Sequence, residues 1–414
     1  MRPSLEVWRS EQRIGELWLG EDGRSMGFAY DAAEMPISNS LPLTGSPFPE
    51  DIGIAHNWFA NLLPEEGARQ VLVRRLGVAD EDFSLLAAIG GDCAGALRLL
   101  PAGAQDEAAA DLVPVEEQQL ARWAEGTERY ALFRPGREQE TRLSLAGAQD
   151  KVPVLIRDGA MFLPQGSNAS SHLIKFAANP GLILNELYMN RLAKLAGLPV
   201  PDSFIGRSGK GSYLAVARYD RIDSGGRMLR VHQEDMCQAL GVPRRLKYQE
   251  EGGPSLGRCA ELVRAVTAKP ALQVRQLLHW QIFNVLAGNS DGHAKNLSLL
   301  QDANGRWNLA PAYDLVCTRV LNYSPQLGFA VGENFHPQEL RLKDWEQFAR
   351  EMTLAPPFVL RELREMVDAM EPAAQGNEVR QALIDAGMEE GDWSKLQHVR
   401  KYVVQQCRRY RKLA

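Results

Sequence analysis

The stretch "GNSDGHAKNLSLLQDANGRWNLAPAYDL", residues 288–315, decides how the whole chain is read. Asp291, His293, Lys295 and Asn296 crowd into six consecutive residues of it. Helix and strand interiors rarely hold so many polar groups unless water, a ligand or a metal meets them. Asp291 and Asn296 stand in the spacing D-x-x-x-x-N. Phosphoryl transfer needs such a pair: a carboxylate to orient the attacking hydroxyl and accept its proton, and an oxygen ligand for the magnesium that bridges the nucleotide phosphates. "LSLLQ" and "RWNLAPAY" flank the turn "DANG", which predicts a hairpin. Asn296 enters that hairpin and Asp314 leaves it, so the two oxygen ligands are expected to meet at one point and share a magnesium. The same residues admit a plainer account, in which Asp291 and Asn296 close a turn and Asp314 caps the next helix.

Upstream residues bear on the choice. Lys175, in "HLIKF", is a charge in an otherwise apolar strand, where a lysine can reach nucleotide phosphates. Glu186 begins the next predicted helix and could hold that lysine as an ion pair. "SLAGAQDK", residues 144–151, has the small residues that let backbone N–H groups approach phosphate oxygens, and Lys151 adds charge. Each feature also has an ordinary reading, as a strand-edge lysine or a solvated helix acid. "GRSGKGS", residues 206–212, lacks the G-x-x-x-x-G-K-[ST] spacing and reads as a hairpin turn. His293 has no second His or Cys at ligand spacing, which favours a phosphate contact or a structural hydrogen bond over a metal.

The chain has 414 residues, 45% hydrophobic and 24% charged, with a formal charge of -5. That balance is globular and gives no global pull toward nucleic acid or anionic membrane. No apolar run approaches the roughly 20 residues of a membrane helix, and "MRPSLEVWRS" lacks a signal-peptide core, so no membrane role and a cytoplasmic location are expected. Five scattered cysteines without a C-x-x-C pair predict reduced core thiols. "LEVWRSEQRIGELWLGEDGRSMGFAY" alternates like antiparallel strands, and "NWFANLLPEEGARQVLVRRLG" has helical spacing with a glycine stop. Asp158-Gly159 joins two strand-like runs, a strong hairpin signal. From about residue 232 the pattern is mostly helical. The expected domains are 1–105, an acid- and proline-rich connection over 106–140, a strand-rich block over 141–230, and a helical block over 231–414.

"LSLAGAQDK", "HLIKF", "HQEDMCQALG", "KYQEEGGP", "GNSDGHAKN" and "PAYDL" occur in the order of one family, and "NLLPE" and "LLAAIGGDCAGALRL" match it earlier. On these strings the chain resembles the HipA-type toxin serine/threonine kinases over nearly its whole length. The resemblance implies an α+β chain: a two-lobed protein-kinase-like fold, with a strand-rich N-terminal lobe, a mostly helical C-terminal lobe and an extra N-terminal α+β domain. It implies that Asp291 is the catalytic base and that Asn296 and Asp314 hold Mg2+. Ala146, Gly147, Ala148, Gln149, Asp150 and Lys151, with Lys175, would contact the phosphates of ATP. Ala217, Arg218 and Tyr219 would form the hinge near the adenine, and His293, Ala294, Lys295 and Tyr313 would line the same pocket. Ser144 corresponds to the family's autophosphorylation site, whose modification pulls the phosphate loop out and silences the enzyme. Ala217 stands where relatives carry a hinge acid, so adenine recognition there falls to the backbone.

By the same resemblance, the partners are a small HipB-like helix-turn-helix antitoxin, operator DNA reached mainly through it, and a protein substrate of the aminoacyl-tRNA synthetase class. Two other readings compete. A small-molecule kinase of the aminoglycoside or choline type also uses D-x-x-x-x-N, but places a His where this chain has Asn289, and lacks such an N-terminal domain. A non-catalytic corepressor would not need every catalytic position filled. The C-terminal "VRKYVVQQCRRYRKLA" carries Arg400, Lys401, Arg408, Arg409, Arg411 and Lys412 with no acid among them. It reads either as a solvated basic face, since helix C-termini favour cations, or as a contact for DNA phosphates.

Overall fold

The structure, a computed structural model, describes residues 2–31, 33–103, 112–127, 151–177, 179–321 and 323–413. It divides into two compact units. One comprises the residues before 179 with Arg207–Arg244 and Leu300–Gly305; the other comprises Asn179–Gly206, Arg245–Leu299 and Arg306–Ala414.

The first unit opens with β1 (Ser4–Arg9), β2 (Gln12–Leu19) and β3 (Met26–Tyr30), which with β4 (Leu97–Pro101) make an antiparallel sheet ordered β3-β2-β1-β4. The alternation seen in the sequence places Leu5, Val7 and Leu17 in the core with Phe28. A side chain at Gly15 would meet the Ala29 carbonyl at 2.3 Å and the Phe28 ring at 2.8 Å, so only glycine lets β2 and β3 close over that ring. Trp58, Phe59, Leu85 and Leu86 cover the sheet from the helices Ile54–Ala60 and Asp82–Ile89. The helical stretch expected over "NWFANLLPEEGARQVLVRRLG" is in fact two helices, Ile54–Ala60 and Glu66–Leu76. Pro64 lies in the break; it lacks an N–H and restricts the residue before it, so one helix cannot run through. The second helix stops at Gly77, in the left-handed region at φ 63°.

A second sheet follows in the order β5-β7-β6-β8-β10-β9. Its strands are β5 (Val113–Pro114), β6 (Lys151–Arg157), β7 (Ala160–Leu163), β8 (His172–Lys175), β9 (Ser203–Ser208) and β10 (Gly211–Ala217). Asp158 and Gly159 both have positive φ, 50° and 78°, as a two-residue hairpin turn with the twist of its strands requires. Gly209, in the "GRSGKGS" turn between β9 and β10, sits at φ 56°. Within the stretch read as a connection, β5 pairs with β7, and helix Glu117–Ala124 buries Leu120 and Trp123 against Val152, Val154 and Ile174. Acid and alanine dominate that stretch, yet two apolar residues one helical turn apart suffice to dock it.

A buried ion network closes the first unit. Arg218 pairs with Asp220 at 2.7 Å and Asp92 at 3.4 Å, while Arg221 pairs with Asp92 at 2.9 Å and Asp220 at 2.8 Å. Arg230 reaches Asp92 at 3.2 Å, and the Ser170 hydroxyl donates to Asp92 at 2.9 Å. Burial opposes ionisation of Asp92, but the guanidinium charges of Arg221, Arg218 and Arg230 outweigh it and hold the carboxyl below the usual carboxylate range.

The second unit is mostly helical. Its helix Pro180–Leu195 starts with Asn179 accepting from the Gly181 N–H and proline at its first turn. Helix Pro270–Ala287 is buried on every face over Gln281–Ala287, which makes it the core helix of the unit. Helices Leu256–Val266, Leu342–Glu351, Pro356–Gln375, Asn377–Asp385 and Gln397–Leu413 complete it. All five cysteines are buried thiols, and no helix of the described residues is long and apolar enough to cross a membrane. On the terminal helix Val403, Cys407 and Tyr410 face the core. Arg408 pairs with Glu371 at 2.9 Å, Arg411 with Asp368 at 2.9 Å, and Arg409 donates to the Pro337 carbonyl at 2.9 Å. Arg400 lies 3.8 Å over the Trp393 ring. Of the tail's cations, Arg408 and Arg411 are thus paired with acids inside the unit.

Candidate active site

Gly288 ends the core helix at φ 70°, and a Cβ there would lie 2.3 Å from the Tyr402 ring. Both the backbone and the packing therefore demand glycine, and the chain is released at one fixed point into the loop 289–296. Asn289 donates to Asn284 Oδ1 at 3.0 Å, and its own Oδ1 accepts from the Asp291 N–H at 3.2 Å. The Thr318 hydroxyl accepts from the Ser290 N–H at 2.8 Å and donates to the Gly288 carbonyl at 3.1 Å. With its backbone so tied, the loop presents Asp291 to solvent, the side chain 53% exposed.

A short 3-10 turn, Ala294–Asn296, follows, with Lys295 and Asn296 buried. Asn296 Oδ1 accepts from the His293 N–H at 3.3 Å, and its amide nitrogen approaches Asp314 Oδ2 at 3.5 Å. The expected hairpin is present as strands Ser298–Gln301 and Trp307–Leu309. Ala310 N–H donates to the Ser298 carbonyl at 2.8 Å, and the Tyr313 hydroxyl bridges the Ser298 hydroxyl and the Lys295 carbonyl, each at 2.7 Å. Tyr313 thereby clamps the open end of the hairpin, where Asn296 and Asp314 meet. Asp314 has φ 52°, a left-handed conformation costing of order 1 kcal/mol for a residue with a side chain. The Asn296 amide N–H faces Asp314 and its oxygen accepts from His293; with the amide turned so that its oxygen faces Asp314, the two side chains would offer hard oxygen donors of the kind that suits a magnesium ion. The helix-cap account of Asp314 is not what the structure holds, since the next turn, Thr318–Val320, is preceded by Cys317.

Tyr248 is a site residue that the sequence does not single out, although "KYQEEGGP" contains it. Its hydroxyl donates to Asp291 Oδ1 at 2.5 Å, and its ring meets His293 edge-on with centroids 5.0 Å apart. His293 Nε2 lies 4.0 Å from the same carboxylate oxygen. The only signal in the sequence is membership of a motif, because the contact spans 43 residues of chain.

Ser144 and Ala146, Gly147, Ala148, Gln149 and Asp150 lie outside the described residues. Lys151 and Lys175 face each other directly across β6 and β8. Lys175 is buried, in the first unit; Glu186 is buried on helix Pro180–Leu195, in the second. Ala217 ends β10 and Tyr219 follows in the same unit. Between them the Arg218 guanidinium is committed to Asp92 and Asp220, so its side chain serves the architecture and only backbone remains for a hinge.

Known proteins resemble this chain in sequence and fold. Residues 5–100 match the HipA N-terminal domain, and residues 143–374 match the HipA-like C-terminal domain. The chain is 40% identical to the candidate kinase Y4mE of Sinorhizobium fredii, over 88% of this chain and 89% of that one. It is 28% identical to the serine/threonine-protein kinase toxin HipA of Shewanella oneidensis, over 97% of this chain and 95% of the relative. A solved structure of the Shewanella oneidensis HipA, HipB and operator DNA complex superposes with a TM-score of 0.85 at 27% identity, covering 99% of this chain and 98% of that one.

Proposed function

The chain belongs to the HipA family, and from that premise we propose that it is a serine/threonine protein kinase using ATP and Mg2+. The observation that carries this reading is one loop holding an exposed carboxylate, Asp291, together with an amide, Asn296, that meets Asp314 at 3.5 Å. In the reaction the acceptor hydroxyl oxygen bonds to the γ-phosphorus as the bond to the β,γ-bridging oxygen breaks, ADP leaves, and the hydroxyl proton passes to Asp291. Asn296 and Asp314 would hold the Mg2+, which when bound would neutralise charge on the transferring phosphates. Lys151 and Lys175 bind those phosphates, and Lys295, buried beside Asn296, adds positive charge on the catalytic side. Asp314→Ala is expected to weaken Mg–ATP binding by at least about 10-fold, because it removes the only carboxylate of the ligand pair. Titration with Mg–ATP and with ATP in chelator checks this, since only the magnesium-dependent part of the affinity should fall.

The family supplies the finer reading. The kinase self-inactivates at Ser144, where a phosphate of charge about -1.5 to -2 would repel those of ATP. Incubation with Mg–ATP is expected to add one phosphate at Ser144 and to lower nucleotide affinity; a Ser144→Ala chain should stay unmodified there and active. The solved relative is a complex with HipB and operator DNA, and we infer the same class of partner here: a helix-turn-helix antitoxin that carries the chain to DNA as a corepressor. The substrate we infer is a cytoplasmic protein of the aminoacyl-tRNA synthetase class. Phosphoproteomics after induced expression tests that inference.

A further inference from the structure

The segment Lys247–Gly253, "KYQEEGG", is built against the catalytic loop at more than one point. Its Lys247 carbonyl accepts from the Ala294 N–H at 3.1 Å, at the start of the turn that carries Asn296. Its Tyr248 hydroxyl donates to Asp291 Oδ1, and its Tyr248 ring packs edge-on against His293. The segment is itself locked. Gln249 N–H donates to the Gly328 carbonyl at 3.1 Å, and Gln249 Oε1 accepts from the Ala330 N–H at 3.0 Å. Gly253 N–H folds back to the Tyr248 carbonyl at 2.9 Å, and a Cβ at Gly253 would strike that carbonyl at 2.6 Å and the Leu246 carbonyl at 2.2 Å. Tyr248 therefore reaches Asp291 from a rigid support.

Asp291 needs such support more than a buried base would. Its carboxylate is half exposed, and an exposed carboxylate samples several rotations about its last bond. A hydrogen bond to one oxygen fixes the direction in which the other points, and proton transfer is sensitive to that direction. We propose that Tyr248 is a positioning residue of the phosphoryl transfer: its hydroxyl anchors one oxygen of Asp291 and so aims the other at the acceptor hydroxyl. This rests on the kinase reading above. Tyr248 acts through Asp291, so it governs turnover and leaves nucleotide binding alone.

The test compares wild type with Tyr248→Phe, which removes the hydroxyl and keeps the ring against His293. A hydrogen bond to a charged group has a strength that corresponds to a drop in kcat of about 10-fold. Mg–ATP affinity and thermal midpoint should stay near wild type. In an Asp291→Asn background, adding Tyr248→Phe should change the residual rate by less than about twofold, because the residue through which Tyr248 acts has gone. The proposal is overturned if Tyr248→Phe turns over like wild type, if its loss appears in Mg–ATP affinity, or if the loss is undiminished in the Asp291→Asn background. If wild type itself transfers no phosphate, the kinase reading has failed, which is a separate outcome.

Discussion

Asp291→Ala is expected to remove nearly all phosphoryl transfer while leaving the fold and most of the Mg–ATP affinity in place. General-base catalysis contributes on the order of 10²–10⁴ in rate, so the loss should fall in kcat. Asp291 lies outside the ligand pair formed by Asn296 and Asp314, and its side chain is half exposed, so truncation removes its contact with the Tyr248 hydroxyl but takes away no core packing. The loop keeps its course because its backbone bonds run to Asn289 and Thr318, not to the Asp291 side chain. Steady-state turnover and nucleotide titration on the same preparation separate the two effects. A variant that lost ATP binding along with turnover would place Asp291 among the binding groups.

Asp92→Ala is expected to lower the stability of the fold by about 3–5 kcal/mol, because it leaves buried guanidinium groups short of a counter-charge. Asp92 accepts from Arg218, Arg221, Arg230 and Ser170, and its side chain is 4% exposed. Urea unfolding measures the effect, and a loss below about 1 kcal/mol would mean that the network carries little net stability. The same network should show in acid. The folded carboxyl of Asp92 titrates below its unfolded value, so its contribution is fully present above the ordinary carboxylate range and is lost as pH falls below it. Wild type should therefore lose stability on acidification through that range more steeply than Asp92→Ala.

Local signals in the sequence carried much of the architecture. Asp158-Gly159, Gly77 and the alternation of Leu5, Val7 and Leu17 each express backbone or burial requirements that involve near neighbours. The meeting of Asn296 with Asp314 was legible for the same reason, since a hairpin brings its own ends together. Longer-range relations were not. Nothing local marks Arg218 and Arg221 as buried, because charged residues near a strand end usually face water, and their partner Asp92 lies over a hundred residues away. Val113–Pro114 is too short and proline-bearing to read as a strand until β7 is beside it. Tyr248 shows its relation to Asp291 only once the chain has folded back on itself.

The measurement that bears most directly on the kinase reading is transfer of labelled γ-phosphate by the purified chain, with Mg2+ and with chelator, followed by identification of the phosphorylated amino acid. The account predicts phosphoserine or phosphothreonine on protein, formed only with Mg2+ and lost in Asp291→Ala. Absence of label from wild type with Mg2+, or equal labelling by Asp291→Ala, would contradict it.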